Sequence, residues 1–232
     1  MGIRDPDGDE ERAGLIWMHA LAIGYSGAYL EENADGIRQD WPRIPLPKTK
    51  KALLKSASLG RRVAALLDTE KAVDGVTAGR VDKRLVKIGV MSRVEGGSID
   101  PNKGELDVTV GWGHPGKDGV CMPGRGRMEV RRQRDAALRR AFGDETLDVY
   151  LNEQAYWANV PRAVWDYYIG GYQVVKKWLS YREKALLGRG LRVEEAEYVT
   201  QMLRRIAALV LMREELDANY GAVKGDVRAW GK

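Results

Sequence analysis

Read for its apolar and polar positions, the chain divides into a helical beginning, an alternating middle and a helical end. From about residue 10 to 25, Leu15, Met18, His19 and Ala22 recur at three-and-four spacing and predict a helix. A second helix is expected over AYLEENADGIRQD, with Ser26 as its N-cap, ending at Trp41, where Pro42, Pro45 and Pro47 in WPRIPLP force an extended segment. Thr49 then caps a third, KKALLKSASLGRRVAALLD, with Leu53, Leu59, Val63 and Leu66 facing one way. RLVKIGVMSRV (84–94) and GELDVTVGW (104–112) alternate and are β-branched, which predicts strands parted by the turn formers GGSIDPNKG, and GVCMPGRGRMEVRR continues the extended pattern. TLDVYLNEQAYWANVPRAVWDYYIGGYQVVKKWLSYRE reads as a strand, a short helix after Pro161, a break at Gly170 and Gly171, and a helix from about Gln173. A single long amphipathic helix is expected from about 193 to 220, with Val199, Met202, Leu203, Ile206, Leu209, Val210 and Arg213 on its stripe.

These elements predict an α+β fold: flanking helices around a small, mostly antiparallel sheet, with long C-terminal amphipathic helices. Residues 1–12 read as a polar leader. Residues 13–232 read as one domain with a helical part (13–75), a β-rich basic part (80–140) and an aromatic-rich helical part (145–225).

Charge adds a location. The 232-residue chain carries 38 Lys and Arg against 33 Asp and Glu, and the stretch 117–140 alone, with eight basic and three acidic residues, accounts for the whole surplus of +5. The single cysteine, Cys121, forbids an internal disulfide, and two histidines, His19 and His114, are too few for a metal site. A charged, acidic N-terminus is unlike a signal peptide, and the longest strictly apolar run, IAALVLM, is too short to span a bilayer. A cytoplasmic protein that does not act at a membrane is expected.

GWGHPGKDG (111–119) superimposes two nucleotide-binding patterns. Gly111, Gly113 and Gly116 stand at GxGxxG spacing, and Gly111, Gly116 and Lys117 at that of a P-loop, with Asp118 in place of Ser or Thr. Both patterns need a helix N-terminus for the phosphates, and DGVCMPG cannot start one. The loop therefore reads as a turn between two strands, and no cofactor is expected. No Pro-Pro pair is present for an adenine methyltransferase tetrapeptide, and no acidic residue stands two before a lysine as in the metal-dependent nucleases. His19, on an apolar face, reads as a core or interface histidine. No catalytic or metal-binding residue is assigned.

Three stretches together, HALAIGYSGAYLEENADGIRQDWPRIPLP, GWGHPGKDGVCMPGRGRMEV and LDVYLNEQAYWANVPRAVWDYYIGGYQVVKKWLSYRE, resemble the C-terminal specificity domain of type ISP restriction-modification enzymes. Those are large polypeptides in which nuclease, translocase, adenine methyltransferase and target-recognition parts follow one another. The resemblance implies sequence-specific recognition of double-stranded DNA. It also implies that catalysis lies in parts this chain lacks, so that an adenine methyltransferase or translocase chain would be its partner. A separate subunit, a truncated remnant and a re-used domain all fit.

Within that implication, Arg125, Arg127, Arg131, Arg132 and Arg134 suit both phosphate and base contacts. Alternation places Arg125, Arg127, Glu129 and Arg131 on one face of an extended ribbon, which the bland reading makes a solvated edge strand. His114 and Lys117 sit on the glycine loop, where absent side chains would let a DNA backbone approach. Gly170 and Gly171 would offer amides ahead of a helix carrying Lys176 and Lys177, with Arg182 beyond, while Val174, Trp178 and Tyr181 read as its buried stripe. Nine aromatics between 150 and 181 could stack on bases, but beside prolines and glycines they read as core packing. Base-reading residues are expected in 87–103 and 125–140, and WPRIPLP reads as a docking segment for a methyltransferase.

Overall fold

The computed structural model describes residues 6–228, and of residues 6–12 and 118 the backbone alone. The chain opens with helices α1 (Pro6–Gly24), α2 (Gly27–Glu32), α3 (Ala34–Gln39) and α4 (Lys50–Leu67). Strands β1 (Val90–Arg93), β2 (Gly113–Pro115), β3 (Cys121–Pro123) and β4 (Met128–Arg132) follow, then α5 (Ala136–Phe142), β5 (Glu145–Tyr150) and β6 (Ala155–Pro161). Next come α6 (Arg162–Trp165), β7 (Tyr168–Ile169), β8 (Tyr172–Gln173), α7 (Val174–Ser180) and α8 (Lys184–Leu187), and the chain closes on α9 (Val193–Leu211) and α10 (Arg213–Gly225). The fold is α+β, as expected.

Two compact units divide these elements: one holds residues up to Lys71 and from Leu211 on, the other Ala72–Val210. The first is helical. Ser26 caps α2 by accepting from the Tyr29 amide (3.2 Å) and donates to Asp217 of α10 (2.7 Å), while Thr49 caps α4 through the Ala52 amide (3.2 Å). Ile23, Tyr29, Tyr220 and Val223 form an apolar cluster, with the two tyrosine rings edge to face at 5.4 Å. α1 and α4 cross at Gly60, where a Cβ would lie 1.7 Å from the Met18 carbonyl oxygen, so only glycine allows that approach. His19 is fully buried: its Nε2 donates to the Pro45 carbonyl (2.9 Å), and its Nδ1 accepts from Ser56 (2.8 Å), which itself accepts from Asn219 (2.9 Å). The core reading of His19 holds.

The second unit is built on a four-stranded antiparallel sheet of order β1-β6-β5-β4. One face is apolar: Leu147 and Val149 of β5 stand beside Val160 and Trp157 of β6, and α9 meets this unit's strands through Trp157 to the Ala196 carbonyl (3.4 Å) and Thr200 to the Gly89 carbonyl (2.7 Å). Alternation turns Glu129 and Arg131 of β4 and Thr146, Asp148 and Tyr150 of β5 to the opposite face. Two-stranded hairpins β2-β3 and β7-β8 complete the unit.

Several expected elements differ. Residues 1–5 of the leader lie outside the described residues, and the first helix begins at Pro6, a residue whose fixed φ suits a first helical position. The helix expected over 28–40 is two, because Asn33 leaves helical geometry and its side chain donates to the Tyr29 carbonyl (2.9 Å). The strand expected over 104–112 is absent, although Leu106, Val108 and Trp112 are buried on its period of two. Over 105–109 its backbone is bound piecemeal by Asn152, Leu151, Lys184 and Leu191, and such scattered partners do not make a ladder. Met212 divides the last helix while staying in the right-handed region, an interruption that hydrophobic period cannot register. Arg213 is exposed, off the buried stripe.

Candidate nucleic-acid interface

The glycine loop is a hairpin, β2 and β3 pairing Gly113 with Pro123 and Pro115 with Cys121 around a turn at 116–120. Its amides are already occupied. Glu183 reaches in from the N-terminal side of α8 and accepts from the amides of Trp112 (2.5 Å), Gly111 and Gly113. Burial pushes the Glu183 carboxyl up, and the three amides oppose that by favouring its charge. A carboxylate from the same chain thus stands where a phosphate would have to lie. The space the glycines leave is likewise internal: a Cβ on Gly113 would fall 1.9 Å from the Ser180 carbonyl oxygen, and one on Gly126 would meet the Trp112 ring at 2.1 Å. The glycines of this region serve packing around Trp112, whose indole donates to the Tyr150 carbonyl (2.8 Å). His114 and Lys117 are both exposed on the hairpin.

The basic strand separates into two kinds of arginine. Arg127 and Arg131 share a face with Glu129, as alternation requires, but both are tied down. Arg127 pairs with Glu153 (2.5 Å) and Glu129 (3.2 Å) and lies 4.2 Å over the Tyr150 ring. Arg131 forms an ion pair through Nε with Asp148 (2.5 Å), and its Nη2 donates a long bond to Glu129 (3.5 Å). The Tyr150 hydroxyl and then Arg127 hold the Glu129 carboxyl below the usual range. Arg125, Arg132 and Arg134 are exposed and, among the described residues, have no ion-pair partner.

Beside this strand the sheet is irregular. The β5-β6 register shifts between Leu147 and Val149, and Asn159 takes φ 57°, the only positive φ at a non-glycine among the described residues. Its backbone amide donates to Asp148 (3.2 Å), its side-chain oxygen accepts from Gln133 (2.8 Å) and Thr146 (3.0 Å), and its amide nitrogen donates to the Lys87 carbonyl (3.0 Å). These groups line a cleft of about 540 Å³ with Arg131, Arg132 and Arg134 on it. None of Asp148, Asn159, Thr146 and Gln133 was singled out by the sequence. The one signal was Asp148, a lone acid in the apolar run TLDVYL.

GGYQVVKKWLSYR differs most from its expected reading. Gly170 and Gly171, at φ 58° and 82°, are the two-residue turn of the β7-β8 hairpin, a conformation only glycine adopts readily, and they do not abut α7. The buried stripe of α7 is Val175 and Leu179, while Val174 and Trp178 are half-buried and Tyr181 is exposed, a one-residue rotation of the expected face. Lys177 sits against the rings of Tyr172 (4.9 Å) and Tyr181 (4.6 Å), Lys176 is half-buried, and Arg182 stacks on Trp178 at 3.8 Å. Of the nine aromatics, Tyr150, Trp157 and Trp165 are core, but Tyr168, Tyr172 and Tyr181 are exposed. No described helix is long and apolar enough to cross a membrane.

The family profile described as the type ISP C-terminal specificity domain matches residues 16–202, and the chain belongs to that family. Among solved structures it is similar to part of the cryo-EM structure of a DrdV-DNA complex, at 20% identity and TM-score 0.45, over 90% of this chain and 18% of that one. It is also similar to part of a nuclease-deletion mutant of the type ISP restriction-modification enzyme LlaGI in complex with a DNA substrate mimic, at 14% identity and TM-score 0.46, over 88% of this chain and 16% of that one. The chain thus spans less than a fifth of either. No curated protein matches it.

Proposed function

We propose that this chain recognises a sequence in double-stranded DNA as the specificity module of a type ISP restriction-modification system, without catalytic groups of its own. The observation that carries the reading, beside membership of a specificity-domain family, is the division of the basic strand. Arg125, Arg132 and Arg134 are exposed without carboxylate partners, as phosphate contacts require, on a sheet edge whose other arginines are held in fixed geometry. Residues 13–232 act as one specificity domain in this reading. Methylation and cleavage fall to an adenine methyltransferase and translocase supplied by another part or chain.

Fluorescence anisotropy with random duplexes across a salt series tests it. The chain should bind most tightly at low salt, and replacing Arg125, Arg132 and Arg134 with alanine should weaken binding to every duplex and reduce the slope of log K against log salt by up to about 3, roughly one per lost phosphate contact. No binding at low salt would overturn the proposal. Arg127 and Arg131 are poor choices for this test, because Arg127 is already neutralised by Glu153 and Glu129 and removing Arg131 strands the buried Asp148.

A second reading, a subunit that docks on a methyltransferase and touches DNA weakly, draws on the helical unit. Trp17 and Trp41 are 71% and 85% exposed there, the second at the head of WPRIPLP. In that case the triple variant leaves capture of the methyltransferase unchanged, and Trp41→Ala abolishes it.

A further inference from the structure

We infer that Arg131 reads a base, selecting guanine, while Arg132 and Arg134 on the same cleft hold the DNA backbone; this rests on the proposed DNA recognition. Three features of the β4-β5-β6 irregularity set the arrangement. Asn159, in its left-handed conformation, turns its amide to Asp148 Oδ1 (3.2 Å) and fixes the carboxylate from one side. Asp148, 4% exposed, holds Arg131 Nε from the other (2.5 Å). The Asn159 side chain is itself pinned by Gln133, Thr146 and the Lys87 carbonyl, so the series Asn159, Asp148, Arg131 has little freedom at any link.

With Nε against Asp148, Arg131 Nη1 is left without a partner among the described residues and Nη2 has only a long bond to Glu129 (3.5 Å) that a base edge can displace, on a side chain 54% exposed beside the cleft. That is a planar pair of donors whose orientation is set before any ligand arrives. Guanine presents two acceptors, O6 and N7, at matching spacing in the major groove; adenine and thymine offer an acceptor next to a donor or a methyl group, and cytosine a donor. A phosphate is also a double acceptor, but charge decides between them. Asp148 and Glu129 both stand against Arg131, so a phosphate there meets two carboxylates, whereas a neutral base edge incurs no such repulsion. Arg132 and Arg134 have no carboxylate partner among the described residues and carry the net positive charge that a phosphate needs.

Selection from a randomised duplex pool with the full chain, followed by sequencing, tests the assignment. The wild type should select a site with at least one strongly preferred guanine. Arg131→Lys keeps the charge but loses the fork, and should reduce that preference by about tenfold or more while leaving the salt slope unchanged. Arg134→Ala should do the reverse, lowering affinity for all duplexes and the slope by about one with the selected site intact. A measurement on the unaltered protein avoids any folding defect: 7-deazaguanine, which lacks the N7 acceptor, placed at each selected guanine in turn should weaken binding about tenfold at one of them. Unchanged binding at every guanine, or an Arg131→Lys chain that keeps the wild-type site and loses salt dependence, overturns the inference and leaves the proposed recognition standing; a wild type that binds duplex without preference overturns the inference and, with it, the sequence specificity of the proposed function. A wild type that binds no duplex overturns both.

Discussion

Removing the Glu183 side chain should cost the sheet-containing unit a substantial part of its stability. Its carboxylate accepts from three successive backbone amides, of which those of Trp112 and Gly113 belong to buried residues, while Gly111 is exposed and its amide can turn to water. Glu183→Ala therefore strands two buried donors at about 1–3 kcal/mol each, so a loss of about 2–5 kcal/mol is expected, large beside a total of about 5–15 kcal/mol. Glu183→Gln keeps an acceptor and should cost less. The two proteins also separate with pH. Burial raises the Glu183 pKa, so the folded state binds more protons than the unfolded chain between the ordinary carboxylate range and the raised value. This contribution is fully present below that window and is lost as pH rises through it, whereas Glu183→Gln does not titrate; the wild type's advantage should grow as the pH is lowered through the raised value toward the ordinary carboxylate range. Urea unfolding followed by tryptophan fluorescence, with hydrogen exchange read at 111–113, measures both effects. A Glu183→Ala protein within about 1 kcal/mol of wild type, with the Trp112 and Gly113 amides still protected, would refute the account of the loop.

His19 is buried as the neutral form, its pKa lowered by desolvation against the opposing bond to Pro45; protonation thus favours the unfolded chain, and stability should fall as pH drops below about 6.5, at up to about 1.4 kcal/mol per unit, a slope that His19→Gln abolishes in pH-dependent denaturation. Gly60→Ala should force α1 and α4 apart and destabilise by about 1–3 kcal/mol in thermal or urea melts, since the obstructing atom is backbone. Asn159→Ala should be less stable than Asn159→Gly by about 1 kcal/mol, because both lose the side-chain bonds but only alanine is strained at φ 57°.

What the sequence disclosed depended on which interactions are local. Caps could be read directly, because Ser26 and Thr49 bond amides three residues ahead, and the stripe of α9 is visible at 3.6-residue period. Alternation over 104–112 correctly marked Leu106, Val108 and Trp112 as buried, yet whether a ladder forms depends on partners some 40 to 90 residues away, which periodicity does not encode. The basic strand was legible as charge. Its sorting into tied and free arginines was not, because Asp148 and Glu153 lie on another part of the chain and become neighbours of Arg131 and Arg127 only through the β4-β5 register. Asn159 had no signal, since an asparagine in a bulge looks like any other asparagine.

The helical unit is assembled from the two ends of the described chain, with the whole sheet-containing unit inserted between them. During synthesis α1 to α4 leave the ribosome long before α10, whose Asp217, Asn219 and Tyr220 supply the partners of Ser26, Ser56 and Glu32. The inserted unit has every residue it needs as soon as Val210 has been made, so it can fold first, while the earliest helices wait for the last one. A chain ended behind α9 would keep β4 and its arginines whole and leave those first helices permanently without their mate.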